Sequence, residues 1–231
     1  MPHHLQRDKV IDRYGDLEYH LGEFQIAKDP SHPSYHMPVL PEGCSRILDI
    51  GCGAGQTLFA LNIEKRHMAC GIDVDRSALK LGQSFSPNIW FGCAQGENLP
   101  FRKGSFDFVL TRVALPYMHI PKVVKEIARV LAPNGKTWIT LHSFMEYRPQ
   151  AVTGLCSGNP TRMAYHAYIL VNSLFFHVTG KMFRYPLNRL RCESFQTTYR
   201  MKRILAKHGF ANIRVTTVGR RFQIEADRVC N

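Results

Sequence analysis

The sequence predicts an α/β fold built on a doubly wound, mostly parallel sheet with helices on both faces. Three observations support this. An apolar run from Ile47 to Ile50 passes straight into glycines at 51, 53 and 55. A second apolar run, Met68 to Asp73, closes on a carboxylate eighteen residues after Gly55. Strand-like and helical patterns then alternate along the chain, as a parallel sheet with crossover helices requires. A chain of 231 residues with 45% hydrophobic content can bury one sizeable core.

The elements follow in order. Ile47 to Ile50 is the first strand, and its helix comes after Gly55. Met68 to Asp73 is the second strand, and Asp75 caps a helix through Leu81. Ile89 to Cys93 reads as a third strand and Phe106 to Thr111 as a fourth. Pro121 opens a helix with Val123, Ile127, Val130 and Leu131 on one face, and Pro133, Asn134 and Gly135 end it. Lys136 to His142 is the fifth strand. Residues 143 to 194 interrupt the alternation and hold one apolar, helix-like stretch from Tyr165 to His177. In this fold class an insertion after that strand emerges on the ligand side, so the segment predicts a lid rather than padding for the sheet edge. Met201, Ile204, Leu205 and His208 keep helical spacing before Gly209, and strand-like runs follow at Ile213 to Val218 and Phe222 to Ala226.

The glycine turn suits close approach of a ligand, because glycine tolerates φ > 0 and has no Cβ to stand in the way. A carboxylate at Asp73 is placed to accept hydrogen bonds from ribose hydroxyls, so the two features indicate a nucleoside cofactor. Taken singly, Asp49 also reads as a strand-end turn former and Asp73 as a helix cap.

Four segments resemble the class I S-adenosylmethionine-dependent methyltransferases, in particular the small-molecule, methyltransferase type 11 branch typified by ubiquinone-pathway C-methyltransferases. They are Ile47 to Gly55, Gly71 to Asp75, Gly96 to Phe101 with Gly104 to Asp107, and Glu126 to Gly135. The resemblance spans residues 46 to 142. It implies a Rossmann-like, seven-stranded sheet in which the C-terminal hairpin supplies one antiparallel strand. It also implies S-adenosyl-L-methionine as cofactor. Gln56 and the early Gly55 agree, since a dinucleotide turn places its third glycine one residue later. By the same resemblance Asp49, Gly51, Cys52, Gly53, Gly55 and Gln56 form the methionine-side turn, Asp73 takes the ribose, and Val74 lies against the adenine. Gln95 stands where the family usually has an Asp for the adenine amino group, which shifts recognition toward Gly96 and Glu97. Arg112 and Val113 would flank the sulfonium, where an arginine is unexpected and points to an acidic substrate. Asn134 replaces a glycine at a position that Asn tolerates at φ > 0. The implied organisation is a cap segment over the cofactor (1–44), a cofactor-binding core (45–142), a lid for substrate recognition (143–194) and a C-terminal helix and hairpin (195–231).

The net charge is +12, and residues 148 to 221 hold thirteen Lys or Arg against one acid, Glu193. The remainder of the chain balances. Such a field concentrates anionic partners: a small anionic metabolite, a nucleic acid or an acidic membrane surface. RNA methylation is the rival reading. Thr111 to Tyr117 lacks the Asn/Asp-Pro-Pro-aromatic pattern of exocyclic base methylation, which disfavours that target. A catalytically silent, cofactor-binding scaffold is the third reading. The seven cysteines form no Cys-x-x-Cys pair, so neither a zinc site nor a disulfide framework is expected. No basic start leads into an apolar stretch and no apolar run is long enough to span a bilayer, so the expectation is a soluble, cytoplasmic protein. Methyl transfer to a hydroxyl or acidic carbon also needs a proton acceptor. His142, at the exit of the fifth strand, is the first candidate, with Tyr165 and His166 in the lid beside it. His119, Glu146, Tyr35 and His36 are further candidates.

Overall fold

The computed structural model describes residues 17–188 and 192–229. Seven strands, β1 (Arg46–Ile50), β2 (Met68–Asp73), β3 (Ile89–Cys93), β4 (Phe106–Arg112), β5 (Leu131–His142), β6 (Phe210–Val218) and β7 (Arg221–Arg228), form one sheet in the order β3-β2-β1-β4-β5-β7-β6. β7 runs antiparallel to both its neighbours, and the other pairings are parallel. The order reverses between β1 and β4. Sheets of this topology bind ligands beyond the carboxyl ends of the strands at that switch point.

Helices α1 (Leu17–Lys28), α2 (Gln56–Ala60) and α3 (Arg76–Phe85) share one side, joined by Phe24 packing edge-on against Phe59 and Phe85. On the other face α4 (Ile120–Val130) and α7 (Thr198–Lys207) bury Val123, Val124, Ile127, Met201 and Leu205 against Leu48, Ile50, Val109 and Ile139. Leu58 and Leu61 pack with Ile47, Phe108, Leu110 and Trp138 on the first face. Successive strand residues are thus covered on both sides, so the inner strands read as unbroken apolar runs.

Asp75 caps α3 as expected, accepting from the N–H groups of Ser77 and Ala78. Asn134 has φ 61° and Gly209 φ 78°, both left-handed as anticipated. The expected helix stop at residues 133–135 differs, because α4 ends at Val130 and β5 already begins at Leu131. A β-irregularity at the start of β5 accommodates these residues within the strand.

After β5 come α5 (Phe144–Leu155) and α6 (Pro160–Thr179). Asn159 caps α6 by accepting from the Arg162 N–H, and Gly180 closes it at φ 74°. The chain then returns across the carboxyl ends of the sheet. The Ser194 N–H donates to the Pro116 carbonyl at 3.1 Å, and the Gln196 N–H to the His142 carbonyl at 2.9 Å. Arg184 pairs with Glu97 and Arg221 with Glu146, so ion pairs tie the α5–α6 unit to the core at two points. Among the described residues no helix is long and apolar enough to cross a membrane.

Candidate functional site

The turn after β1 is built from backbone hydrogen bonds and close packing. Gly51 N–H and Cys52 N–H both donate to the Ile72 carbonyl, at 2.8 and 3.0 Å, fixing the turn to the end of β2. Gly51 has φ 72°, and a Cβ there would stand 2.3 Å from the Ala114 Cβ; at Gly55, φ is 82° and a Cβ would meet Phe91 at 2.7 Å. These two glycines are required by conformation and by space together. Gly53 N–H donates to Asp73 Oδ2 at 2.8 Å, so the turn closes on the acid of the neighbouring strand.

Asp49 sits beneath this turn with 1% of its surface exposed. Among the described residues, neither of its carboxylate oxygens has a hydrogen-bond partner. Burial pushes its pKa up to about 8, against the pull of Arg112 and with the help of Asp73. A buried acceptor left in this state costs ~1–3 kcal/mol. Gln56 Oε1 is also buried and without a partner. The Asp73 oxygens accept from Gly53 N–H and, at 2.9 Å, from Asp75 N–H, and burial raises its pKa. Each oxygen keeps a second lone pair. Unmet acceptors beside a crowded glycine turn fit a ligand that brings donors, such as an ammonium group and ribose hydroxyls.

The unexpected Arg112 is matched by an acid from α1. Its guanidinium is ion-paired with Glu23 and donates to Thr57 Oγ1 at 3.1 Å, so the site gains no uncompensated cation. Next to it, Val113 has φ 61°, and its N–H donates to Thr140 Oγ1 at 2.9 Å. A β-branched residue in the left-handed region is strained, and such strain gathers at ligand sites. Val74 is exposed beyond Asp73, and Gln95 is exposed after β3. Gly96 is buried where a Cβ would meet Met118 Sδ at 2.9 Å. Glu97 Oε1 accepts from His119 N–H at 3.0 Å and from Arg184 at 3.2 Å, so this side chain ties the segment after α6 to the start of α4.

The structure separates the three catalytic candidates. His142 lies at the carboxyl end of β5, its ring edge-on to Tyr117 at 5.7 Å, on the rim above the sheet. Tyr165 donates to Glu193 at 2.5 Å and lines a cavity of about 390 Å³ with Asn159, Thr161, Arg162, Tyr185 and Asn188. His166 corrects the expectation. Its Nδ1 is 2.7 Å from the Tyr147 hydroxyl and its ring stacks on Tyr147, while burial lowers its pKa, so it packs the interior of the α5–α6 pair. His36 lies over Trp138, its pKa lowered by burial and by Arg112 and Arg221. Glu146 is paired with Arg221.

His20, Glu23, Thr57 and Thr140 also reach the site, and sequence reasoning passed over them. His20 is buried over the glycine turn, within 3.4 Å of Gln56 Nε2 and 4.0 Å of Asp75. The spacing of His20, Glu23, Phe24 and Ala27 on one face of α1 was the available signal.

Residues 48–139 match a family model described as a methyltransferase domain. The chain thus carries a methyltransferase domain, on the fold of S-adenosylmethionine-dependent methyltransferases. The domain is similar to the phthiotriol/phenolphthiotriol dimycocerosates methyltransferase of Mycobacterium leprae, at 37% identity over 95 residues, 39% of this chain and 35% of that protein. It is also similar to the 18S rRNA (guanine(1575)-N(7))-methyltransferase of Saccharomyces cerevisiae, at 38% identity over 77 residues, 32% of this chain and 28% of that protein. Among solved structures, a SAM-dependent methyltransferase of Thermotoga maritima superposes with a TM-score of 0.57 at 16% identity, covering 91% of this chain and 89% of that one. The chain spans less than half the length of the curated relatives it matches.

Proposed function

We propose that this protein transfers a methyl group from S-adenosylmethionine to a small acceptor bearing negative charge, within a reducing, cytoplasmic setting. The observation that supports the cofactor reading most is the buried Asp49, unsatisfied beneath the glycine turn. Bound adenosylmethionine supplies a methyl group activated by its positive sulfur. Asp49 and the turn from Gly51 to Gln56 take the amino-acid half, Asp73 takes the ribose hydroxyls, and Val74, Gln95 and the Gly96–Glu97 backbone take the adenine. Arg112, neutralised by Glu23, and the strained Val113 shape the wall beside the sulfur. His142 accepts the acceptor's proton at the strand-end rim.

The anionic part of the acceptor fits the cavity beside Tyr165. Arg162, Asn159, Asn188, Thr161 and Tyr185 line it with Leu187 and Tyr165, whose hydroxyl donates to the Glu193 carboxylate. Among the described residues, the buried Tyr185 hydroxyl has no partner. The lid formed by α5 and α6 then orients the acceptor and excludes water. Calorimetry with adenosylmethionine and adenosylhomocysteine, followed by transfer of a labelled methyl group to a panel of carboxylated and phosphorylated small molecules, tests this reading. Cofactor binding with turnover supports it, and binding without turnover on any acceptor leaves the scaffold reading in its place.

The rival reading is RNA methylation, favoured by the yeast relative named for an rRNA target and by the basic residues 148–221. A salt titration of RNA binding separates the two. A steep decline of affinity with salt supports RNA, and no binding at moderate salt removes it.

A further inference from the structure

The outer side of α6 is apolar where a surface helix is ordinarily polar. Val171, Leu174 and Val178 are 58%, 63% and 65% exposed, and Phe175 is exposed beside them. Their i, i+3, i+4, i+7 spacing places them on one stripe. The opposite stripe, including Tyr165, Ile169, Asn172 and Phe176, is buried toward the lid core and the sheet. Both sides of this helix are therefore apolar, and among the described residues only the inner one is covered.

The stripe ends among cations. Arg200 of α7 donates to the carbonyls of His177 and Val178, which sets α7 against the last turn of α6. Tyr199, 53% exposed, lies with Arg203 and Arg200 near its ring, the guanidinium carbons 5.6 and 6.0 Å from its centre. Lys181, Lys202 and Arg203 are exposed around this end. Between residues 148 and 221 the one acid is Glu193. Its carboxylate accepts from the Tyr165 hydroxyl.

A second copy of this chain fits poorly, because a two-fold contact would bring the same cationic rim onto itself. RNA would use the cations and gain nothing from Val171, Leu174 and Val178. A bilayer with anionic headgroups uses both: the aliphatic stripe enters the headgroup boundary, the lysines and arginines meet phosphates, and an exposed tyrosine sits at the interface. We propose that the outer face of α6, with Tyr199 and the basic side chains around it, docks on an anionic lipid surface. The contact is peripheral and independent of the proposed methyl transfer, since neither cofactor nor acceptor takes part in it.

Co-sedimentation of the full chain with vesicles of phosphatidylcholine, with and without phosphatidylserine, tests this directly and requires no turnover. Binding to the phosphatidylserine vesicles is expected to be ~10-fold tighter or more and to weaken as salt is raised. Leu174→Glu with Val178→Glu alters only exposed positions and should lower that binding by ~10-fold or more, with an unchanged thermal midpoint. Lys202→Glu with Arg203→Glu should lower the preference for phosphatidylserine. Equal binding to both vesicle types, no binding to either, or binding that survives the Leu174 and Val178 changes would overturn the proposal. So would a dimer in light scattering that those two changes dissociate, since the stripe would then be an interface between copies. RNA bound as tightly as the anionic vesicles and unaffected by those changes would reassign the cationic face to nucleic acid.

Discussion

At the amino-terminal ends of β1 and β4, Asp107 accepts from the N–H groups of Ser45 and Arg46, from the Ser45 hydroxyl and from the Arg46 guanidinium. At the carboxyl end of β1, Asp49 is more deeply buried, and neither of its oxygens has a partner. The pKa values diverge accordingly. The Arg46 hydrogen bonds bring Asp107 down to about 2, and burial takes Asp49 up to about 8. One sheet thus uses one carboxylate to fasten two strands and leaves another unsatisfied at the switch point where such sheets bind ligands. Local satisfaction marks the structural end, and its absence marks the end arranged for a ligand.

The largest expected effect lies at the ligand end. Asp73→Ala should weaken adenosylmethionine binding by ~2–4 kcal/mol, the cost of leaving two ribose hydroxyls without their acceptor. Calorimetry checks this, and unchanged affinity would remove Asp73 from the site. At the other end, Asp107→Ala should lower unfolding stability by ~1–2 kcal/mol, discounted for its partial exposure, with cofactor affinity intact. Urea titration read beside calorimetry tests the contrast, and lost affinity without lost stability would invert it.

The pH dependence sharpens the comparison, because the two shifts have opposite signs. The raised pKa of Asp49 favours the folded state at pH values below its unfolded pKa of ~4, and that contribution is lost as pH rises through about 8. The lowered pKa of Asp107 gives stability that is present above ~4 and lost as pH falls through about 2. Relative to wild type, Asp49→Asn should therefore flatten the decline in stability between those upper limits, by at most ~1.4 kcal/mol per pH unit. Thermal melts across that range would show it. The smallest effect is expected at Val113. Relief of its φ 61° backbone by Val113→Gly should leave stability level or raise it by ~1 kcal/mol while weakening cofactor binding. A loss of more than ~1 kcal/mol would mean that side-chain packing, not strain, dominates there.

The structural end and the glycine turn were largely legible in the sequence. β1 and β2 are legible to within a residue because burial on both faces makes continuous apolar runs, and the edge strand β3 is legible from its short aromatic and β-branched run. The start of β5 was misplaced because Pro133, Asn134 and Gly135 combine the usual helix-ending residues, while here they bend an extended strand. α5 escaped notice because Pro149 lies inside it and its apolar residues keep no clear period. The Arg112–Glu23 pair joins residues far apart in the chain, and the polar members of the inward face of α1 hide its periodicity. Sequence position alone cannot show that the His166 ring is bonded to Tyr147 or that the Glu97 side chain is paired with Arg184, because both partners lie far off in the chain.

The most direct measurement combines stability and cofactor affinity in Asp49→Asn, by denaturant titration at pH 8 and calorimetry with adenosylhomocysteine. The expected result is unfolding stability equal to or above that of the wild type, with binding weakened by ~2 kcal/mol or about 30-fold. Full affinity with reduced stability would contradict the account and make Asp49 a structural acid like Asp107.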